Sequence, residues 1–385
     1  MNVLVTSASG AKGLVVTRSL GKNNIEVINT DSERFSAAFF SRYSKSHFLS
    51  PSPSNSPAEF LRVILDYVKE NAIDVLMPVN SAETLLISQY KDKFLPYTKV
   101  PFEDYSKMNK LHDKGKLAKV AEELNIPIPK TYEITDFKAI EKSARTYMYP
   151  VVIKLKNSTS SVGINYASSQ NDFISKYKET ILKFKLDSLD YPIIQEYIHG
   201  TGYGVSLLMN HGELRAIFTH KRLREYPITG GPSTLRESVR HPEMERIAIK
   251  LMKHFNWHGI AMVEFKLDQR TNKPYLIEVN PRFWGSINQA IASGVDFPYL
   301  LYKMAKEGDV QAVLNYKLGV KTRFLMNDFR AIFSLFKSSK NCIKMITEIL
   351  RFDDIYDDIF TSGDILPLTF FAYTNIKKSF NKGKI

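Results

Sequence analysis

The chain has 385 residues, 44% of them hydrophobic and 12% aromatic, which is enough for two or three packed domains. A single cysteine, Cys342, excludes an intrachain disulfide framework and a cysteine-based zinc site and suits a reducing, cytoplasmic compartment; no apolar run is long enough to cross a bilayer. The net charge of +13 invites a nucleic-acid partner, but the 53 Lys and Arg are interspersed with 40 Asp and Glu and no nucleic-acid motif is present, so none is expected.

In chain order, Val3 to Thr6 reads as a strand, with no basic-plus-apolar leader before it. A tight turn at Gly10–Gly13 and a helix from Leu14 to Leu20 follow, then a strand from Ile25 to Ile28 that runs to Asp31. Helical spacing over 58–70 and a strand at Asp74–Met77 continue the alternation, which predicts an open α/β domain with a parallel sheet. The turn after the first strand has only Gly10 and Gly13, short of the three glycines of a dinucleotide fingerprint, so this domain reads as Rossmann-like scaffold. Asp31 stands near where a ribose-binding acid would, which keeps an NAD-dependent oxidoreductase as an alternative.

Lys107 to Leu124 is a helical segment, and Ile126-Pro-Ile-Pro129 is a break that opens a new domain. A strand at Val151–Leu155, a helix near 172–183, a strand at Ile193–Glu196, a strand pair turning at Asn210–Gly212 and a helix over 243–255 come next. After about Gly308 the pattern turns to helical spacing from Phe329 to Leu350, followed by the basic Lys377, Lys378, Lys382 and Lys384. That tail is either a helix capping the main domain or a weak contact with an anionic membrane surface.

Four stretches carry chemistry. Lys154 ends an apolar strand and precedes the small, polar Asn157–Gly163 loop, where backbone N–H groups and an ammonium suit phosphate oxygens; an exposed lysine beside a turn is the other reading. Gln195 to Ile198 lead into Gly200-Thr-Gly202-Tyr-Gly204, where a flat base could be sandwiched, or where a strand simply ends in a glycine loop. Lys221, Arg222 and Arg224 before the Gly230-Gly231 loop suit an anion, or form a solvated charge run.

The fourth stretch is Met262 to Arg282. Folding its two alternating arms about Thr271 puts Glu264 opposite Glu278 with Asn280 on the same face, while Val263, Phe265, Leu267, Tyr275, Ile277 and Val279 form the apolar face. Like charges directly opposed on a sheet are destabilising, and a hard cation held by two carboxylates, an amide oxygen and phosphate oxygens would neutralise them. Otherwise the two glutamates point past each other into solvent. Arg282, just beyond Asn280-Pro281, would aim at the group to which a metal-bound phosphate is transferred.

Asp113-Lys114, Val-Val-Ile-Lys154 with its small-residue loop, Gln-Glu-Tyr-Ile198, Glu264 and Glu278-x-Asn280-x-Arg282, in that order, resemble the ATP-grasp superfamily, in the branch with carbamoyl-phosphate synthase, biotin carboxylase and carboxylate–amine ligases. The resemblance covers about residues 1–305. It implies a Rossmann-like domain over 1–105, a two-part ATP-grasp module over 106–308 whose smaller lid part is about 120–195, and a partly helical extension over 309–385. It further implies ATP contacts from Lys114, Lys154, Ser160, Ser161, Gly163, Gln195, Glu196, Tyr197, Ile198 and Tyr203. The same resemblance makes Glu264, Glu278 and Asn280 ligands of Mg2+ or Mn2+, Lys221 a phosphate-facing lysine and Arg282 the stabiliser of the transition state. The implied reaction joins a small-molecule carboxylate to an amine through an acyl phosphate, releasing ADP. A carboxylase of the carbamoyl-phosphate type and a nucleotide-binding module without catalysis are the alternatives. The serine-rich phosphate loop departs from glycine-rich relatives.

Overall fold

The computed structural model describes residues 2–158, 162–228, 230–338 and 355–382, with side chains to 334 and 377 in the last two segments. Strands β1 (Asn2–Val5), β2 (Glu26–Asp31), β3 (Ser44–Leu49) and β4 (Val75–Met77) form a parallel sheet in the order β3-β2-β1-β4. The buried, β-branched character of β1, β2 and β4 fits a sheet covered on both faces; β3 is half-polar and lies at the edge. Helix Ala11–Lys22 starts three residues earlier than its apolar run implies and takes in the expected turn. Gly13 sits inside it because a Cβ there would lie 2.3 Å from the Ser7 carbonyl oxygen.

The expected helix over 107–124 is two helices, Tyr105–His112 and Lys114–Glu123. Asp113 divides them and caps the second, its Oδ1 accepting from the N–H groups of Gly115 at 2.9 Å and Lys116 at 3.0 Å. Next comes a small antiparallel sheet of β5 (Thr131–Glu133), β6 (Val151–Lys154), β7 (Asn165–Ala167) and β8 (Ile193–Glu196), ordered β5-β8-β6-β7. Its own core gathers Ile153, Phe173, Tyr177 and Ile194 under helix Gln170–Phe184.

The largest sheet comprises β9 (Gly200–Asn210), β10 (Glu213–Glu225), β11 (Ser233–Val239), β12 (Gly259–Asp268), β13 (Pro274–Asn280), β14 (Lys321–Arg323) and β15 (Ile355–Asp357), in the order β13-β12-β9-β10-β11-β14-β15. The glycine run at 200–204, expected as a loop, is inside β9, and the cations at 221–224 are inside β10. One face packs Tyr203, Val205, Val263, Phe265, Leu276 and Val279 against helix Pro242–His254. Leu208, Phe218 and Met262 on the other face share a core with the N-terminal sheet, so that sheet is seated on the large one.

Beyond Gly308, β14 and β15 pair in parallel, and helix Leu366–Lys382 returns to the N-terminal domain, where Phe370 stacks on Phe40. Asp364 anchors that return, accepting from Arg18 Nε at 2.8 Å, Ser41 Oγ at 2.6 Å and the Arg42 N–H at 2.9 Å. The helix Leu325–Ser338 contains Phe329; Ile343, Ile346, Leu350 and Lys384 lie outside the described residues. Among the described residues no helix is long and apolar enough to cross a membrane.

Candidate active site

The hairpin of β12 and β13 has the register read from the sequence at its open end: Glu264 is opposite Glu278, Val263 opposite Val279 and Met262 opposite Asn280. A bulge then shifts the pairing by one residue, so Phe265 faces Leu276 and Lys266 faces Tyr275. This corrects the expected apolar face. Leu276 takes the core position, fully buried, while Ile277 turns into the cleft beside Glu278. The bulge therefore adds an apolar side chain to the wall next to two carboxylates.

A cavity of about 450 Å³ opens between the small sheet, the large sheet and the start of helix Ala11–Lys22. At its outer end Lys154 is buried and donates to Gln195 Oε1 at 2.8 Å, and Gln195 donates in turn to Thr131 Oγ1 at 3.0 Å. Gln195 thus positions Lys154 and does not line the cavity. Burial, then the neighbouring Lys114 ammonium, lowers the Lys154 pKa to about 8. Glu196, Tyr197 and Ile198 do line the cavity, at the junction of the small and large sheets. Lys266 braces that junction, donating to the Ile198 carbonyl at 3.2 Å with its ammonium 4.9 Å from the Tyr197 ring centre.

Lys114 sits at the first position of its helix, buried, with its ammonium on the Ser158 carbonyl at 2.7 Å and 3.6 Å from Glu278 Oε2. It joins the start of the phosphate loop to the hairpin. Ser160 and Ser161 lie outside the described residues. Gly163 has φ +69 and packs on Leu155, where a Cβ would come within 2.4 Å of Leu155 Cδ1, so this loop end requires glycine.

Glu264 and Glu278 are both in the cavity wall. Burial, with Glu278 adding a like charge and Arg222 opposing, pushes Glu264 up to about 7. Burial pushes Glu278 the same way, but the Lys114 and Lys154 ammonium groups hold it below the usual carboxylate range. Asn280 Nδ2 donates to Glu264 Oε1 at 3.0 Å and Glu278 Oε1 at 3.1 Å, and its Oδ1 accepts from Arg282 at 2.6 Å. The expected oxygen ligand is therefore turned toward Arg282 here; presenting it to a cation takes a half-turn of the amide. Two half-buried, opposed carboxylates are the hard oxygen donors that Mg2+ or Mn2+ takes, so the residues fit such an ion.

Two expected site residues lie elsewhere. In the sheet, Glu264 is in register with Gly204 and His220, whereas Phe265 is in register with Tyr203 and Lys221. Lys221 and Tyr203 consequently share the core-side face, and Tyr203 packs edge-on to His241 with ring centres 5.6 Å apart. Arg222 is the residue that enters the cleft, paired with Glu264 and, at 3.3 Å, with Glu225. The sequence carries a signal for this. Gly202 and Gly204 alternate with Tyr203, and a Cβ at either would meet Arg222 Cδ at 2.8 Å or His220 Cε1 at 2.4 Å. Glycines mark the face that large polar side chains cross.

Asp31 does not face a nucleotide. It accepts from the Ser9 N–H at 2.7 Å and the Glu33 N–H at 3.0 Å and so holds the loop before helix Ala11–Lys22. The inner end of the cavity is lined by Ser9 to Lys12, by Trp284, by Arg236 with its partner Asp358, and by Phe371 and Asn375 of the returning helix. Sequence reasoning missed all of these, which come from segments far apart in the chain.

The fold around this cleft resembles that of ATP-grasp enzymes. The family model described as ATP-grasp in the biosynthetic pathway with Ter operon matches residues 188–326. The chain is 23% identical over 245 residues to D-aspartate ligase of Enterococcus faecium, covering 58% of each chain. It is 27% identical over 218 residues to D-alanine–D-alanine ligase of Carboxydothermus hydrogenoformans, covering 51% of this chain and 68% of that one. Among solved structures it resembles a biotin carboxylase–β,γ-ATP complex from Campylobacter jejuni, with a TM-score of 0.67 at 17% identity over 83% of this chain and 74% of that one.

Proposed function

We propose that the protein is an ADP-forming carboxylate–amine ligase that uses ATP with Mg2+ or Mn2+. The observation that carries this reading is the opposed Glu264–Glu278 pair in one cavity with Lys154, Arg222 and Arg282, and with the Lys114 ammonium 3.6 Å from Glu278. Two carboxylates that would repel, ringed by four cations, form a site for a metal-bound polyphosphate. The likeness to a β,γ-ATP complex and to two amino-acid ligases supports the same reading.

In this reading the adenine lies against Ile164, Ile277 and the Glu196–Ile198 junction, and Lys114 and Lys154 hold the phosphates. Glu264, Glu278 and Asn280 would hold the metal, which when bound offsets charge on the β- and γ-phosphate oxygens. A carboxylate oxygen of the acid forms a bond to the γ-phosphorus as the bond to the ADP oxygen breaks, giving an acyl phosphate. Arg222 and Arg282 stabilise the charge on the transferring group. The amine nitrogen then bonds to the acyl carbon, phosphate leaves, and the amine loses a proton. Positioning and electrostatics do the work, and no covalent enzyme intermediate is required.

An ADP-release screen over amino acids, dipeptides, polyamines and bicarbonate, with D-alanine and D-aspartate first, tests this. The wild type releases ADP only when an acid and an amine are both present, and Glu278→Gln, folded by circular dichroism, releases none. Wild-type turnover in that variant would remove the metal assignment. ADP release on bicarbonate alone would favour a carboxylase.

A further inference from the structure

Part of the wall at the inner end of the cavity comes from the C-terminal extension: Phe324 just beyond β14, Asp358 just beyond β15, and Phe371 of the returning helix. β14 and β15 run in parallel with Arg323 opposite Asp357, so the next pair in that register, Phe324 and Asp358, emerges side by side. The Asp358 N–H donates to the Arg323 carbonyl at 3.0 Å, and Phe324 meets Phe371 edge-on with ring centres 5.7 Å apart. The two acids at this point have different partners. Asp357 is used up by backbone, accepting from the N–H groups of Leu325 at 3.0 Å, Ile359 at 2.8 Å and Phe360 at 2.7 Å. Asp358 is buried, with Oδ2 accepting from Arg236, while its Oδ1 has no donor. Among the described residues it is the one buried carboxylate oxygen left in that state.

Neighbouring groups do not fill the gap. Arg236 is committed at all three nitrogens, to Thr322 Oγ1 at 2.8 Å, the Ser233 carbonyl at 3.3 Å and Asp358 itself, and Asn288 gives its Nδ2 to the Asp357 carbonyl at 3.0 Å. Burial pushes Asp358 up to about 6, Asp357 adding to the rise and Arg236 and, weakly, Asn288 opposing it, so one guanidinium does not offset the burial. A second cation beside Oδ1 would, and the aromatic pair next to it suits the same charge. The position along the sheet sets what that cation belongs to. Arg236 is directly opposite Arg222, which reaches the other way to Glu264, so a row of side chains crosses the sheet from Glu264 through Arg222 and Arg236 to Asp358. With neighbouring strands about 4.8 Å apart, Asp358 is on the order of 10 Å from the strand that bears Arg222. Lys12, Arg222 and Arg282 make the chamber around the reacting group cationic, which repels an ammonium; Asp358 reverses that sign at a distance of one small molecule.

We propose that the amine substrate carries a second, positively charged nitrogen, as a diamine or a basic amino acid does, and that Asp358 Oδ1 receives this distal ammonium beside the Phe324 and Phe371 rings. The proposal rests on the ligase reading above and adds the class of amine that the reading leaves open. Asp358 belongs to the C-terminal extension, so that segment reads the amine. It is a binding residue that acts on the far end of the amine and not on the nucleotide.

Calorimetric titration of the full chain at saturating Mg-ADP compares cadaverine with n-pentylamine and L-lysine with L-norleucine, pairs that differ in the distal ammonium. In the wild type the dicationic member binds at least ~10-fold tighter in one pair or both. Asp358→Asn brings the two members to within ~3-fold of each other and leaves Mg-ADP affinity as it was. Where the stranded Arg236 charge unfolds that variant, Arg236→Gln with Asp358→Asn replaces the ion pair by two amides and gives the same result. Equal affinity within both pairs in the wild type, or no binding of either dication, overturns the proposal, as does a preference that survives the loss of the Asp358 carboxylate. A wild type that fails to bind Mg-ADP would instead overturn the ligase reading itself.

Discussion

Arg222 on β10 donates to the Glu264 carboxylate on β12, reaching over Gly202 of the intervening strand β9. Lys221, one residue earlier, is on the opposite face of the sheet. In the proposed reaction, the cation placed to serve a transferring phosphate is therefore Arg222. Arg222→Met lowers the ADP-forming rate by ~10²–10³, the usual effect of removing one electrostatic stabiliser, and Lys221→Met leaves it within ~2-fold. Steady-state rates of the two variants decide. A larger loss in Lys221→Met would reinstate the lysine.

That one-residue difference shows what the sequence could and could not convey. The Glu264–Glu278 pairing was legible because both arms alternate and the face bearing the acids is obliged to oppose the core. Ile277 was misplaced because a bulge has no signature in the alternation of β13. Lys221 and Arg222 are adjacent cations, so alternation alone could not say which entered the cleft; only the register with Gly204 and Glu264 does. Lys114 was found through family resemblance, and its physical basis, the Asp113 cap that starts a new helix at Lys114, was readable too. Lys12, Arg236 with Asp358, and Phe371 were out of reach, since long-range packing alone brings residues 12, 236, 358 and 371 to one wall.

Lys154 gives the site a pH dependence with a definite sign. Its pKa is lowered to about 8, by burial first and Lys114 second, from a lysine's ordinary 10.5. Below pH 8 it is charged in both folded and unfolded chains, and the penalty for burying the charge is fully present. Between about pH 8 and 10.5 the unfolded chain binds more protons, so this group's contribution to stability rises with pH. In the ligase reading nucleotide binding runs the other way, because Lys154 would meet the phosphates as an ammonium. ATP affinity, measured by calorimetry, weakens as pH rises through about 8, and Lys154→Met binds weakly at every pH without that inflection. An inflection unchanged in Lys154→Met would assign it to another group.

Gln195 is a positioning residue for that lysine, since its amide oxygen holds the ammonium while its nitrogen is tied to Thr131. Gln195→Ala leaves Lys154 without its buried acceptor and weakens ATP about 5- to 10-fold, equivalent to about 1 kcal/mol. Gln195→Glu places a carboxylate beside the ammonium, so the pH at which ATP affinity declines moves upward. A purely structural role would shift thermal stability in both variants and leave that inflection in place.

Asp364 connects the C-terminal extension to the N-terminal domain through Arg18, Ser41 and the Arg42 backbone, and the Arg18–Asp364 pair is almost wholly buried. Breaking such a pair from one side strands a charge, so Asp364→Ala costs about 3–5 kcal/mol in a denaturant melt. Replacing both partners, as Arg18→Met with Asp364→Leu, removes the stranded charge and recovers much of that loss. The helix that Asp364 leads into also carries Phe371 and Asn375, which close the inner end of the cavity. At temperatures where Asp364→Ala is still folded, its KM for the acid and amine therefore rises more than its affinity for Mg-ADP falls, because the nucleotide end is built from the two other sheets. Parallel losses at both ends would mean that the extension supports the whole fold and does not shape the substrate chamber in particular.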